Sequence, residues 1–263
     1  MNHHPTVLIL HATGSNRDLD VAEAIEMAGG VPHIRPLNQL RAERTDWSEF
    51  QMLVLPGGFA YADALGAGKL LAIDLNSYFS EQAQAFVEQG KPVIGICNGF
   101  QTLVKAGLLP GASGTGQGMA ASRATLTFNR GGHFECRWVT LLPVSNRCLW
   151  TSGLTEPIEC PVAHGEGNFV LADPADLTQL QANDQIGLMY ATGEGLPAAG
   201  TYPANPNGSI GDIAGVCNAQ GNVLGLMPHP ENHIHPFQHP RWTRGERGRS
   251  GLRLFENGVR FVK

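Results

Sequence analysis

The sequence predicts an α/β fold: a mostly parallel sheet flanked by helices in the first half, with additional antiparallel strands in the second. Two observations predict it. Short apolar runs alternate with helically spaced segments up to about residue 106, and beyond that point short β-like runs are parted by turn-rich stretches. The composition, 42% hydrophobic and 16% charged in 263 residues, is that of a globular chain long enough to bury a core without disulfides or metals. We read residues 1–263 as one domain, with a parallel α/β half over 7–110 and a mixed half over 111–263.

In order along the chain, Val7 to His11 is a short apolar strand that ends in the turn-forming Thr13-Gly14-Ser15-Asn16. Val21, Ala24, Ile25 and Ala28 then recur at helical spacing until Gly29-Gly30 stops the helix. Val31 to Arg35 returns as a strand, and Gln51 to Leu55 forms another that breaks at Pro56-Gly57-Gly58. A helix over Ser80 to Gln89 precedes a buried central strand, Pro92 to Ile96, which runs straight into Cys97 and a helix through Ala106. Gly111 to Gly118, with four glycines in eight residues, reads as a connector. Antiparallel strands are expected at Arg123 to Phe128, Cys136 to Leu142, Ile186 to Tyr190 and Val223 to Met227, and a basic helix at the C-terminal end.

Charge and cysteine usage narrow the class. The net charge is −5, yet Arg241 to Lys263 holds seven Lys/Arg against two Asp/Glu, so the remainder carries about −10. So acidic a body argues against nucleic-acid binding, while the basic tail suits a solvated surface, an acidic partner or a phosphate-bearing substrate. Five scattered cysteines, none in a C-x-x-C pair, read as reduced thiols in a cytoplasmic protein. The run Val7 to Leu10 is far too short for a signal h-region or a membrane span.

Three motifs carry chemistry. Gly95-Ile96-Cys97-Asn98-Gly99 is a G-x-C-x-G between a predicted strand and a predicted helix, the cysteine form of a nucleophile elbow. Such a turn lifts the thiol above the C-terminal sheet edge, leaves the Asn98 N–H free as an oxyanion donor, and sets a helix N-terminus beside the thiolate. Met227-Pro228-His229-Pro230-Glu231 follows a strand, and Pro230 disfavours α geometry at His229, so residues 229 and 231 project to the same side. Glu231 can then hold one imidazole nitrogen while the other exchanges a proton with Cys97. Leu55-Pro56-Gly57-Gly58-Phe59 lies at the C-terminal end of a strand, where Gly58 is the candidate for the second oxyanion donor.

These residues resemble the class I, or triad, glutamine amidotransferases. Within that family, Gly58 to Asp63, Gly95 to Gln101, Phe134 to Trp138, His164 to Gly167, Tyr202 to Ser209 and Met227 to Glu231 are similar to the glutaminase subunits of phosphoribosylformylglycinamidine synthases. The resemblance implies a flavodoxin-like sheet and hydrolysis of glutamine through a cysteine thioester, with Cys97, His229 and Glu231 as the triad. It implies Gln101 as a glutamine contact and His164 near the site. As partner it implies an ATP-dependent synthetase subunit in de novo purine biosynthesis, and it leaves room for a further small subunit. Against the family pattern, Ala62 stands where a glycine is expected, and the segment after Glu231 is rich in histidine.

Two decoys are set aside. His229, His233, His235 and His239 suggest a zinc site, but Pro230, Pro236 and Pro240 break the helix that would gather them, so no metal is assigned. Gly66-Ala67-Gly68-Lys69 lacks the Ser or Thr and the first glycine of a Walker loop, so no cofactor is expected on this chain, and ATP and Mg belong on the partner. The alternatives are a stand-alone cysteine hydrolase of the same fold and a non-catalytic metal-binding or regulatory module.

Overall fold

The computed structural model describes residues 4–111 and 123–263. The connector at Gly111 to Gly118 lies, beyond its first residue, outside the described residues. In the first half the elements are β1 (Thr6–His11), α1 (Asp18–Met27), β2 (Val31–Pro36), α2 (Leu37–Glu43), β3 (Met52–Leu55), α3 (Lys69–Tyr78), α4 (Ser80–Glu88), β4 (Val93–Ile96) and α5 (Asn98–Lys105). The second half adds β5 (Ala124–Thr127), β6 (Glu135–Pro143), β7 (Ile158–His164), β8 (Asn168–Leu171), α6 (Ala175–Ala182), β9 (Ile186–Ala191), β10 (Ile213–Cys217), β11 (Val223–Leu226) and α7 (Leu252–Phe261).

Nine strands form one sheet in the order β2-β1-β3-β4-β11-β10-β9-β6-β7, and β5 pairs with β8 in a separate ribbon. The first five run parallel and reproduce the flavodoxin-like order, while the remaining four pairings are antiparallel. Burial explains the division. β3, β4 and β11 are buried at every position, as parallel strands covered on both faces must be, and β7 alternates buried with half-buried residues, as suits an antiparallel strand with one wetter face. α1 packs on β1, β2 and α7, whereas α5 packs on β3, β4 and β11 with α3 against it.

One strand departs from expectation. The sequence pattern groups Val223 to Met227 with the antiparallel set, but β11 pairs in parallel with β4, Leu226 opposite Ile96, and is antiparallel only to β10. Four buried residues in succession, the mark of a strand covered on both faces, are the sequence sign of that place. Its consequence is functional: the chain leaving β11 emerges beside the chain leaving β4. At the C-terminal end, α7 itself holds Arg253 and Arg260 against Glu256, and the denser charge lies before it at Arg241, Arg244, Arg247 and Arg249.

Candidate active site

Cys97 sits between β4 and α5 with φ 50° and ψ −104°, a conformation sterically forbidding for a residue with a Cβ. The glycines around it serve close packing. A Cβ on Gly99 would lie 1.9 Å from the Leu55 carbonyl oxygen, and one on Gly95 would lie 2.7 Å from the Gly99 oxygen, so α5 can start directly on β3 and β4 only if both are glycine. Cys97 is 5% exposed, and its thiol donates to the Ala163 carbonyl of β7 at 3.7 Å.

The segment after β11 brings His229 and Glu231 to the same end of the sheet. The His229 backbone N–H donates to Pro161 O at 2.8 Å, fixing the segment against β7. His229 Nδ1 donates to Glu231 Oε1 at 2.7 Å, both side chains are buried, and His229 Nε2 has no hydrogen-bond partner. Burial disfavours charge on the ring, but the Glu231 carboxylate and the Cys97 thiolate outweigh it, and the His229 pKa is pushed up to about 10. Gly57 matters here in a way its turn-like sequence did not announce: a Cβ there would lie 2.6 Å from His229 Cε1, so the imidazole rests on the glycine.

Gly58 is held by a bridge to Ser15, in which Phe59 N–H donates to Gly14 O and Asn16 N–H to Gly57 O. A bridge of that kind turns the central residue's own N–H away from its partner. Gly58 and Cys97 line one cavity of about 170 Å³, together with Gln101, His164, Asp63 and Glu166. The loop from 60 to 68 reaches the elbow through Asn98, whose Oδ1 accepts from Ala60 N at 3.2 Å and whose Nδ2 donates to Asp63 Oδ1 at 2.8 Å and to Gln101 Oε1 at 3.1 Å. Gln101 Nε2 donates in turn to Glu166 O at 2.7 Å, so both ends of this amide are engaged within the protein. Tyr61, Ala62 and Asp63 all have positive φ, which is why a glycine would be at home at position 62.

His164 ends β7 and is 2% exposed. Asn129 spends its Nδ2 on the carbonyls of His133 and His164, so its Oδ1 faces the ring and accepts from His164 Nδ1 at 3.1 Å. That leaves His164 Nε2 as a bare lone pair. Burial, then the charge on His229, depresses its pKa to about 3.

All seven residues singled out from the sequence gather at this end of the sheet. Asp63, Glu166 and Asn129 were missed. The sequence signal for Asp63 and Glu166 was membership of the quoted segments, since isolated acidic residues near glycines read as surface. Phe134 to Trp138 and Tyr202 to Ser209 have structural work instead. Glu135 is buried against His133 and Arg137, and Asn207 donates to the Tyr190 hydroxyl while accepting from Ser209, whose hydroxyl also receives the Phe169 N–H. The histidine-rich segment has structural partners: His233 bonds the Glu159 and Arg247 carbonyls and packs with His239 against Trp138, while His235 bonds Glu23. Among the described residues no three metal-ligating side chains converge, and no helix is long and apolar enough to cross a membrane. In the would-be phosphate loop, the Ala67 N–H is already taken by the Glu166 carboxylate.

Comparison with known proteins accords with this geometry. Residues 4–262 match the CobB/CobQ-like glutamine amidotransferase domain family. The chain is 49% identical to phosphoribosylformylglycinamidine synthase subunit PurQ of Treponema denticola, over 98% of this chain and 99% of that one. It is 41% identical to the subunit of the same name from Dehalococcoides mccartyi, over 97% of each. A chain in the structure of PurLQS from Thermotoga maritima superposes with a TM-score of 0.75 at 29% identity, covering 99% of this chain and all of that one. Matched along nearly its whole length at this level of identity, the chain belongs to the glutamine amidotransferases, in the PurQ family of phosphoribosylformylglycinamidine synthase subunits.

Proposed function

We propose that the chain hydrolyses glutamine by cysteine nucleophilic catalysis and supplies the ammonia to a partner synthetase that makes formylglycinamidine ribonucleotide in purine biosynthesis. The observation that carries the mechanism is the juxtaposition of the strained Cys97 after β4 with the buried His229–Glu231 pair after the adjacent strand β11. His229, its pKa raised to about 10, already holds the proton of the thiol, and Cys97 Sγ attacks the side-chain amide carbon as the thiolate. Charge develops on the carbonyl oxygen, where the N–H groups of Gly58 and Asn98 are the donors at hand. Collapse breaks the C–N bond, and His229 returns the proton to the departing nitrogen, which leaves as ammonia. Water, deprotonated by His229, then attacks the thioester; the C–S bond breaks, glutamate departs and the Cys97 thiolate is left beside the protonated His229. Glu231 fixes the ring and stabilises the imidazolium throughout.

The names of the relatives and the PurLQS likeness support a synthetase as the partner, and the resemblance extends this to a further small subunit. ATP and magnesium are assigned to that synthetase, and a cytoplasmic setting follows from the reduced thiols the chemistry needs. The test uses the assembled complex. Cys97→Ala should abolish synthesis driven by glutamine and leave synthesis driven by free ammonia near the wild-type rate. Glutaminase activity persisting in Cys97→Ala would remove the nucleophile from this position.

A further inference from the structure

The charged side chains that line the cavity are both carboxylates, Asp63 and Glu166. Each is built in. Asp63 Oδ1 accepts from Asn98 Nδ2 at 2.8 Å, and Glu166 accepts from the Ala67 N–H, in the loop before α3, through both oxygens, at 3.2 and 3.3 Å. Lys105 is close enough to interact with both, yet it does not line the cavity and spends its ammonium on the Leu126 carbonyl. The histidine on the wall, His164, is neutral at ordinary pH. The cavity therefore holds a surplus of negative charge that no side chain on its wall neutralises.

Two further features mark this as an arranged site. The segment carrying Asp63 runs through three successive left-handed residues, a costly backbone that Asn98 holds from the elbow. Glu166 is tied to Gln101, four residues along from Cys97, a rise of about 6 Å on a helix. That is close to the span of four bonds between the side-chain amide carbon of glutamine and its α-nitrogen.

We propose that Asp63 and Glu166 together form the subsite for the α-ammonium group of free glutamine and make the enzyme reject side-chain amides that lack it, including glutamine within a peptide. This rests on the glutaminase reading above. An ammonium between the two carboxylates restores neutrality and sets the amide carbon over Cys97. It also relieves Asp63, whose pKa is raised by burial first and in part by the charge on Glu166. Asn98 and Gln101 are positioning residues here, since they act by holding the two acidic loops against the elbow.

The experiment measures kcat/KM for glutamine and for glutaramate, its analogue without the α-amino group, in the assembled complex. Wild type, Asp63→Asn and Glu166→Gln are compared; both substitutions keep an oxygen to accept the existing N–H donors. Each should lower kcat/KM for glutamine by about 10- to 100-fold, mainly through KM, with glutaramate hydrolysis within about twofold of wild type. An unchanged preference between the substrates, or an equal fall in both, would overturn the assignment. Wild type that hydrolyses neither substrate would sink the glutaminase reading and this subsite with it.

Discussion

His229 and His164 stand at the ends of β11 and β7, both nearly inaccessible, each with Nδ1 bonded and Nε2 bare. They are near enough for the charge on one to disfavour charge on the other. Yet one is held as a strong base and the other is kept neutral well into acid. The difference lies in what each Nδ1 meets. Glu231 presents a buried carboxylate, which rewards a positive ring, whereas Asn129 presents an amide oxygen, which fixes a tautomer and rewards no charge. One end of the sheet thus obtains a proton-transfer group and a neutral acceptor from one residue type.

The comparison is easiest to break by deleting each ring. His229→Ala should lower the glutaminase kcat by about 10²- to 10⁴-fold, the cost of losing a positioned acid–base group. His164→Ala should act mainly on KM, with kcat within about tenfold of wild type. Rapid-quench measurement of thioester formation separates the two. A larger loss of thioester formation in His164→Ala than in His229→Ala would exchange their roles.

Glu231→Gln sharpens the same contrast, because it gives His229 an amide partner like that of His164. The ring then loses the largest influence raising its pKa, while burial continues to lower it. We expect a fall in kcat of about tenfold to 10³-fold, less than for removing the imidazole. The alkaline limb of the kcat profile, set near the His229 pKa of about 10, should move to lower pH. A profile that keeps its alkaline limb in Glu231→Gln would show that the carboxylate does not set the basicity of His229.

The two histidines also show how far the sequence could be read. His229 was legible because Pro230 and the strand before it constrain the geometry locally, and Glu231 is only two residues away. His164 could be placed near the site only through family likeness, since its partner Asn129 is 35 residues distant and its strand carries Pro161, which masks it as a strand. The same split runs through the fold. Long-range pairings such as Leu226 with Ile96 decide whether β11 is parallel, and local periodicity holds no record of them. α3 went unseen behind the glycines that precede it, and with it the carboxylate-bound N–H of Ala67. Cys97 was the opposite case, its strand, glycines and helix all lying between Val93 and Lys105.

The smallest expected effect concerns stability. A folded protein in which His164 titrates near 3, against about 6.5 when unfolded, binds fewer protons than its unfolded chain between those values. Stability from this group is therefore fully present above pH 6.5 and is lost as pH falls through the window toward 3. His229 has the opposite sign, since its folded pKa of about 10 makes its contribution full below 6.5 and lost as pH rises toward 10. Between pH 6.5 and 5, His164 should account for about 1–2 kcal/mol of the decline in unfolding free energy. His164→Gln removes that titration and keeps a polar side chain in the space, so its urea midpoint should fall less steeply over this interval than wild type. The slope is the informative quantity, because any packing defect shifts both ends of the interval alike. Identical slopes in the two proteins would mean that His164 is not held neutral by its surroundings, and the contrast with His229 would have to be sought elsewhere.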